Sequence, residues 1–501
     1  MLSDLVIVYH RQPYEEVEED GKTVFKENAS PNGIVPTLKS FFGSVDRGAW
    51  VAWKLAEDTS NPGFERVVEI SDSYGDYSVS RLPLTAEQVR DFYHVTSKEA
   101  FWPILHNFRE RYNYDPVNWP NFREVNWAFA EAAAAEAAPG AVVWVHDYNL
   151  WLVPGYLRQM RPDVRISFFH HTPFPAADMF NVLPWRKEIV ESLLACDVIG
   201  FHIPRYASNF VSVACSLMDV DEIVRVRVDE DFIAEGTALT ERTVPTQLVH
   251  NGRKVHISTA GVGVDVDYIL KQAGRPETAE QIAAIREEMG DRQLILSVGR
   301  TDYTKGGAEQ LESFGRVLAA HPELRGKVRL MHVSVSANRG MAAYAEVQDA
   351  IEQTAGRING QYGTFDWTPI TLISRAVPFN ELVAYYRAAD VAWITPLADG
   401  MNLVCKEYVA ARTDGDGVLV LSEFAGAAVE LGSAVITNPY SYRSMDRAIL
   451  TALHMPEDER RERMVLLHAV VQKYDIRAWG AAQQAAFALA DEERRAASPA
   501  A

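Results

Sequence analysis

The chain has 501 residues, 48% hydrophobic and 23% charged, enough apolar material for two or more domains with full cores and too balanced for wholesale disorder. A formal net charge of −19 argues against nucleic-acid and anionic-membrane partners, whose phosphates need a basic surface, while leaving room for a local basic pocket. Three cysteines (Cys196, Cys215 and Cys405) fall in no paired or metal-binding spacing, which predicts a reducing setting and no zinc site.

The N-terminus runs directly into an apolar stretch at 5–9 with no basic-then-apolar leader, and no apolar run approaches membrane-spanning length. A soluble cytoplasmic protein is expected. Further apolar runs at 142–145, 166–169, 198–201, 294–298, 328–335, 391–394, 418–421 and 434–437 read as buried strands. Amphipathic segments such as 125–138, 277–289 and 308–320 lie between them. Alternating strands and helices predict an α/β chain whose parallel sheets are covered on both faces. The Ser-Thr-Ala-Gly-Val-Gly-Val-Asp stretch at 258–265 marks the best boundary. Domains are therefore expected at 1–258 and 259–474, with a C-terminal helix over 475–501 packing back on the first domain and fraying at its end. Residues 229–251 read as hairpins or an exposed excursion.

Polar residues recur just past the strands, where open α/β sheets bind ligands. Arg11 follows the first strand, His146 and Asp147 the second, and His170 and His171 the third. In the second half, Arg300 and Lys305 follow 294–298, Arg339 follows 328–335, and Asp399 follows 391–394. This distribution predicts two Rossmann-like domains facing each other across a cleft.

The stretch 394–411 carries the most chemistry. A strand breaks at Pro396, Asp399 and Gly400, and a helical pattern begins near Asn402. The loop thus presents a carboxylate and the amides of Gly400, Met401, Asn402 and Leu403 at a helix N-terminus, a natural phosphate site. Glu407, one turn on, reads as a ribose contact and Asp399 as a hexose contact, although an ordinary acidic cap fits the pattern too. Arg300 and Lys305 place two cations in one loop, suited to a pyrophosphate leaving group or equally to a solvated basic surface. His171 sits beside His170 in a strand, and adjacent side chains point to opposite faces, so the two are poor joint metal ligands. Either could be a core histidine. Asp147 reads as an acceptor-side base, a hydroxyl anchor or a helix cap. Asp219-Val220-Asp221 and Asp265-Val266-Asp267 mimic a metal-binding acidic motif and read as surface acids.

Four strings, HDYNLWLVP (146–154), FHHTPFP (169–175), GRTDYTKG (299–306) and TPLADGMNLVCKEYVAA (395–411), together resemble the trehalose-6-phosphate synthase family of retaining GT-B glycosyltransferases. The resemblance implies that Arg300 and Lys305 bind the donor diphosphate, that Asp399 and the Gly400–Leu403 amides hold donor glucose and phosphate, and that Glu407 holds the ribose. It places His171 against the donor sugar and Gly33 on the donor side. Arg11 and Arg339 resemble the family's acceptor-phosphate arginines, and Asp147, Tyr93, Trp102 and Trp53 its acceptor pocket. The segments 9–14, 30–36 and 50–54 resemble the branch of the family that acts on glycerol 3-phosphate, whereas Arg339 also matches the trehalose-forming branch.

The implied reaction moves glucose from ADP-glucose to glycerol 3-phosphate with retention for compatible-solute synthesis, with glucose 6-phosphate as the rival acceptor. A separate phosphatase would act on the product, and a homo-oligomer is compatible with the sequence. Neither a metal nor pyridoxal phosphate (PLP) is expected as cofactor. Outside the family, the rivals are a PLP-dependent phosphorylase, for which Lys406 is the one tempting lysine, and a non-catalytic sugar-phosphate sensor.

Overall fold

The computed structural model describes residues 2–19, 21–27, 34–234, 236–335 and 342–497. The chain forms two compact units. The first comprises residues 1–228, 241–260 and 479–501, the second 229–240 and 261–478. The changeovers at 260/261 and 478/479 lie within a few residues of the expected boundaries, but 229–240 belongs with the second unit, contrary to its expected place in the first. Its anchors there explain this: Asp231 pairs with Lys473 and accepts from the Tyr474 hydroxyl, and Phe232 packs on the Tyr474 ring.

In the first unit the parallel strands are β1 (Ser3–Val8), β2 (Gly48–Leu55), β3 (Gly75–Leu84), β4 (Ala137–His146), β5 (Arg165–His170) and β6 (Val198–Phe201). Their spatial order is 3-2-1-4-5-6. Val67–Asp72 extends one edge antiparallel to β3; beyond β6 lie Arg253–Thr259, parallel to it, and then Thr243–His250 and Glu222–Arg227 in antiparallel pairing, giving ten strands. The second unit holds six parallel strands, β7 (Gln293–Arg300), β8 (Val328–Val335), β9 (Ile370–Ile373), β10 (Val391–Ile394), β11 (Val418–Ser422) and β12 (Val435–Thr437), in the order 9-8-7-10-11-12. Both units are therefore Rossmann-like: two crossovers run one way from the first strand, then the winding reverses. The central strands β5, β6, β10 and β11 and the second half of β4 are almost wholly buried, because helices cover both faces.

β2, β3 and β9 were not foreseen from the sequence. β3 (GDYSVSRLPL) has no continuous apolar run, since buried Ser78 and Arg81 interrupt it; Arg81 is satisfied by Glu16 at 2.9 Å and by the Glu65 carbonyl at 2.8 Å. Also unforeseen is a twelve-residue π-helix, Arg90–Phe101. Its widened turn is supported by hydroxyls that reach back five residues, Thr96 to the Asp91 carbonyl at 2.7 Å and Ser97 to the Phe92 carbonyl at 2.8 Å.

The last helix starts at Ile476, and Trp479 on its first turn enters the first unit's core. Its indole meets Trp144 (centroids 5.4 Å apart), Phe41 (5.8 Å) and Phe169 (5.2 Å). Trp479→Ala should lower stability by about 3–5 kcal/mol, the usual range for emptying a buried large aromatic site. Urea denaturation followed by circular dichroism measures this, and a loss below about 1 kcal/mol would mean the helix contributes little to that core.

Candidate functional site

Where strand order reverses in an open parallel sheet, the loops from the two central strands diverge and leave a crevice at their carboxyl ends. In the second unit this point lies between β7 and β10, in the first between β1 and β4. The sequence-predicted residues gather at these two places.

In the second unit, β7 ends at Arg300 and its loop continues to Lys305. The loop leaving β10 is laced to it, the amides of Leu397 and Ala398 both donating to the Thr304 carbonyl at 2.8 and 3.2 Å. Gly306 makes this approach possible: its φ is +69°, and a Cβ there would stand 2.6 Å from the Thr395 carbonyl. Lys305 Nζ then reaches Asp399 Oδ2 at 2.7 Å, and Asn402 Nδ2 donates to the same oxygen at 3.0 Å. Asn402 also caps the helix α1 (Leu403–Ala411), accepting from the Cys405 amide at 3.1 Å. Among the described residues, the amides of Gly400, Met401, Asn402 and Leu403 donate to no backbone carbonyl. The Met401 side chain is buried against Gly261, so what it offers a ligand is its amide.

Glu407 lies one turn into α1, 7% exposed, and accepts from the Tyr386 hydroxyl at 2.8 Å. Burial pushes its carboxyl up to about 7, with the Tyr386 bond pulling the other way. Arg300 is exposed at the same strand end, level with Val335 of β8. Lysine, carboxylate, capping amide and a row of backbone N–H groups thus share one helix N-terminus, an arrangement able to hold a diphosphate with hydroxyl acceptors beside it. Lys406 turns the other way, 1% exposed, with Nζ 2.7 Å from Glu430 and 3.1 Å from the Val262 carbonyl. A lysine so engaged is a core anchor.

In the first unit, Arg11 lies three residues past β1, exposed, with its guanidinium among the Tyr9, Tyr93 and Tyr148 phenols. The Arg11 carbonyl accepts from the Trp50 indole at 2.8 Å, and Gln12 Nε2 donates to the Trp53 carbonyl at 3.2 Å. His10, Gln12, Glu16, Trp53, Lys54 and Leu55 line a cavity of about 290 Å³. The His10 ring lies 5.4 Å from Tyr93 on the π-helix, which leads into Trp102. Lys98 Nζ stands over the Trp102 ring at 3.8 Å and the Tyr93 ring at 5.6 Å.

Asp147 follows β4 with φ 71° and ψ 161°, a region that only glycine visits freely. It is held there by its amide donating to the Phe169 carbonyl at 2.9 Å and by its carboxylate accepting from the Tyr148 amide at 3.0 Å. Burial raises its carboxyl to about 6, against the Tyr148 amide and the cations Lys98 and Arg11. His171 Nε2 lies 3.1 Å from His146 Nδ1, and burial keeps both imidazoles neutral well below the usual histidine range. His170 points to the opposite face, bonded to the Thr172 carbonyl at 3.0 Å and stacked on Trp151.

Arg11, Tyr93, Trp102, Trp53, Asp147 and His171 therefore share the first unit's switch point, and Lys305, Asp399, the 400–403 amides and Glu407 share the second's. Gly33 and Arg339 lie outside the described residues. His10, Lys98 and Tyr386 were missed. Only the π pitch would have revealed Lys98, and Tyr386 comes from a helix distant in sequence. In the second acidic doublet, Asp265 caps a helix through the Tyr268 amide at 2.9 Å and Asp267 pairs with exposed Arg477; among the described residues no cluster of three metal-ligating side chains occurs. No helix among those residues is long and apolar enough to cross a membrane.

The backbone strain at Asp147 stores about 1–3 kcal/mol. Asp147→Gly should release much of it, so the variant melts higher. The gain should also grow with pH: a carboxyl raised to about 6 favours the folded state below the unfolded value and loses that contribution as pH rises through 6. Thermal melts at pH 4.5 and 8 test this, and a variant melting below wild type at both would contradict it.

A family model described as glycosyltransferase family 20 matches residues 3–488. A glucosylglycerol-phosphate synthase from Synechocystis sp. is 50% identical over 479 residues, covering 96% of each chain. A trehalose-6-phosphate synthase from Mycobacterium sp. is 36% identical, covering 96% of this chain and 95% of its own. Among solved structures, an alpha,alpha-trehalose 6-phosphate synthase from Burkholderia multivorans superposes with a TM-score of 0.86 at 28% identity, covering 100% of this chain and 99% of its own. An E. coli structure bound with UDP-2-fluoro glucose gives 0.83 at 28% identity, covering 96% and 98%. With its two Rossmann-like units, its loops at both switch points and a family match across nearly the whole chain, this protein belongs to glycosyltransferase family 20 and is a glycosyltransferase of the GT-B fold.

Proposed function

We propose that the enzyme transfers glucose from ADP-glucose to the 2-hydroxyl of glycerol 3-phosphate with retention, giving 2-O-(α-D-glucosyl)glycerol 3-phosphate for compatible-solute synthesis. The observation that carries this reading is the gap in similarity: glucosylglycerol-phosphate synthases stand at 47–50% identity, trehalose-6-phosphate synthases at 34–36%. In this reading the second unit grips the donor. The 400–403 amides and Lys305, assisted by Arg300, hold the diphosphate, Asp399 orients the glucose, and Glu407 accepts from the ribose hydroxyls. The first unit grips the acceptor, with Arg11 on its phosphate and Asp147 on a hydroxyl.

With the histidines neutral and no carboxylate assigned as nucleophile, retention follows from attack on the face the diphosphate leaves. The departing oxygen takes the acceptor proton while Lys305 and Arg300 stabilise its growing charge. A separate phosphatase would then hydrolyse the product. Trehalose-6-phosphate synthesis is the second reading, favoured by the structural likeness to enzymes of that name.

Offering glycerol 3-phosphate and glucose 6-phosphate side by side, with ADP-glucose and UDP-glucose as donors, tests the proposal. Glucosylglycerol phosphate should form, fastest from ADP-glucose; trehalose 6-phosphate as the main product would overturn the acceptor assignment. Lys305→Ala should lower kcat about a hundredfold or more, the scale of losing one charge-stabilising donor, and wild-type turnover in a folded variant would remove its role. Because the Glu407 carboxyl protonates near 7, KM for the donor should rise as pH falls from 8 to 6, and Glu407→Gln should flatten that profile. A wild-type donor KM constant over that range would detach Glu407 from the ribose.

A further inference from the structure

On an α-helix, residues five apart lie about 140° around the axis, so Tyr93 and Lys98 would face different ways. On the π-helix Arg90–Phe101 the repeat widens, and residues five apart stand nearly one above the other. The ring distances show the result: Lys98 Nζ is 5.6 Å from the Tyr93 ring and 3.8 Å from the Trp102 ring, held between the two. Tyr93 in turn contacts His10 and the Arg11 guanidinium, and Trp102 lies 6.1 Å from the ring of Tyr148, next to Asp147. Lys98 is thus a second cation beside Arg11, within electrostatic reach of both His10 and Asp147. The two aromatic faces hold the ammonium itself by cation–π attraction, which fixes its position beside Arg11.

A phosphomonoester carries about −1.5 to −2 charges at neutral pH, more than one guanidinium neutralises. A three-carbon acceptor also keeps its phosphate within a few bonds of the hydroxyl that reacts, so the neutralising charge must stand close to Asp147. We propose that Lys98, delivered by the π-helix, is an acceptor-phosphate ligand that selects short phosphorylated acceptors. This inference rests on the acceptor reading above and adds to it a residue and the backbone device that aims it.

Lys98→Met keeps the apolar stem over Trp102 and removes the charge; Lys98→Arg restores charge. KM for glycerol 3-phosphate should rise about tenfold or more in Lys98→Met, equivalent to about 1.4 kcal/mol, and return most of the way in Lys98→Arg. The inhibition constant of inorganic phosphate against the acceptor should rise in parallel. Donor KM and the melting temperature should stay near wild type, which a merely structural lysine would not give. An unchanged acceptor KM and phosphate inhibition in Lys98→Met would overturn the proposal, as would an equal rise in donor KM. If wild type proves to use glucose 6-phosphate, the acceptor reading fails by itself; Lys98 is then judged by KM for that sugar phosphate in the same variants, unchanged KM again overturning its role.

Discussion

The switch point of the second unit depends on one carboxylate. Asp399 takes Lys305 from the β7 loop and Asn402 from the cap of α1 on a single oxygen, and so fixes two loops that would otherwise diverge. The pair is partly buried, where charges left unpartnered are expensive, so each group needs the other until a ligand supplies a better partner. A diphosphate would be such a partner, bringing two negative groups to a lysine and to amides that donate to no backbone carbonyl among the described residues. Release of Asp399 from Lys305 would free it for neutral hydroxyls, which suits a sugar linked to that diphosphate. Ground-state pairing of this kind keeps the site assembled without filling it with apolar side chains.

The two units solve the same problem with the same device. Each reverses its strand order beside its first strand, and each puts a non-glycine residue with positive φ there, Asp147 at 71° and Asn402 at 78°. Both are acid or amide side chains, which tolerate that backbone by bonding locally, and both turn a strained main chain into a fixed direction for a polar group. Strain of this sort persists only because the surrounding hydrogen bonds over-determine it.

Much of this was legible in the sequence, and for physical reasons. Strands buried on both faces read as uninterrupted apolar runs, so 198–201 and 391–394 coincide with β6 and β10 to the residue. The helix after Asp399 announced itself through Pro, Asp, Gly and Asn, whose backbone preferences are strong enough to survive tertiary context. What stayed hidden depends on partners far along the chain. Buried Ser78 and Arg81 make sense inside β3 only because Glu16 and the Glu65 carbonyl satisfy Arg81. The excursion at 229–240 follows Tyr474, more than two hundred positions away. A helical wheel drawn at the ordinary pitch separates Tyr93 from Lys98, and the π-helix brings them together. Family resemblance suggested roles that spacing alone left open, and in the first unit it did not single out Lys98.

The central claim is that the Asp399–Lys305 corner at the start of α1 is the diphosphate grip. A crystal structure with ADP bound tests it most directly. The account predicts phosphate oxygens within hydrogen-bonding distance of the Gly400–Leu403 amides and of Lys305, with the ribose hydroxyls on Glu407. A nucleotide bound elsewhere, with the Asp399–Lys305 pair untouched, would contradict it.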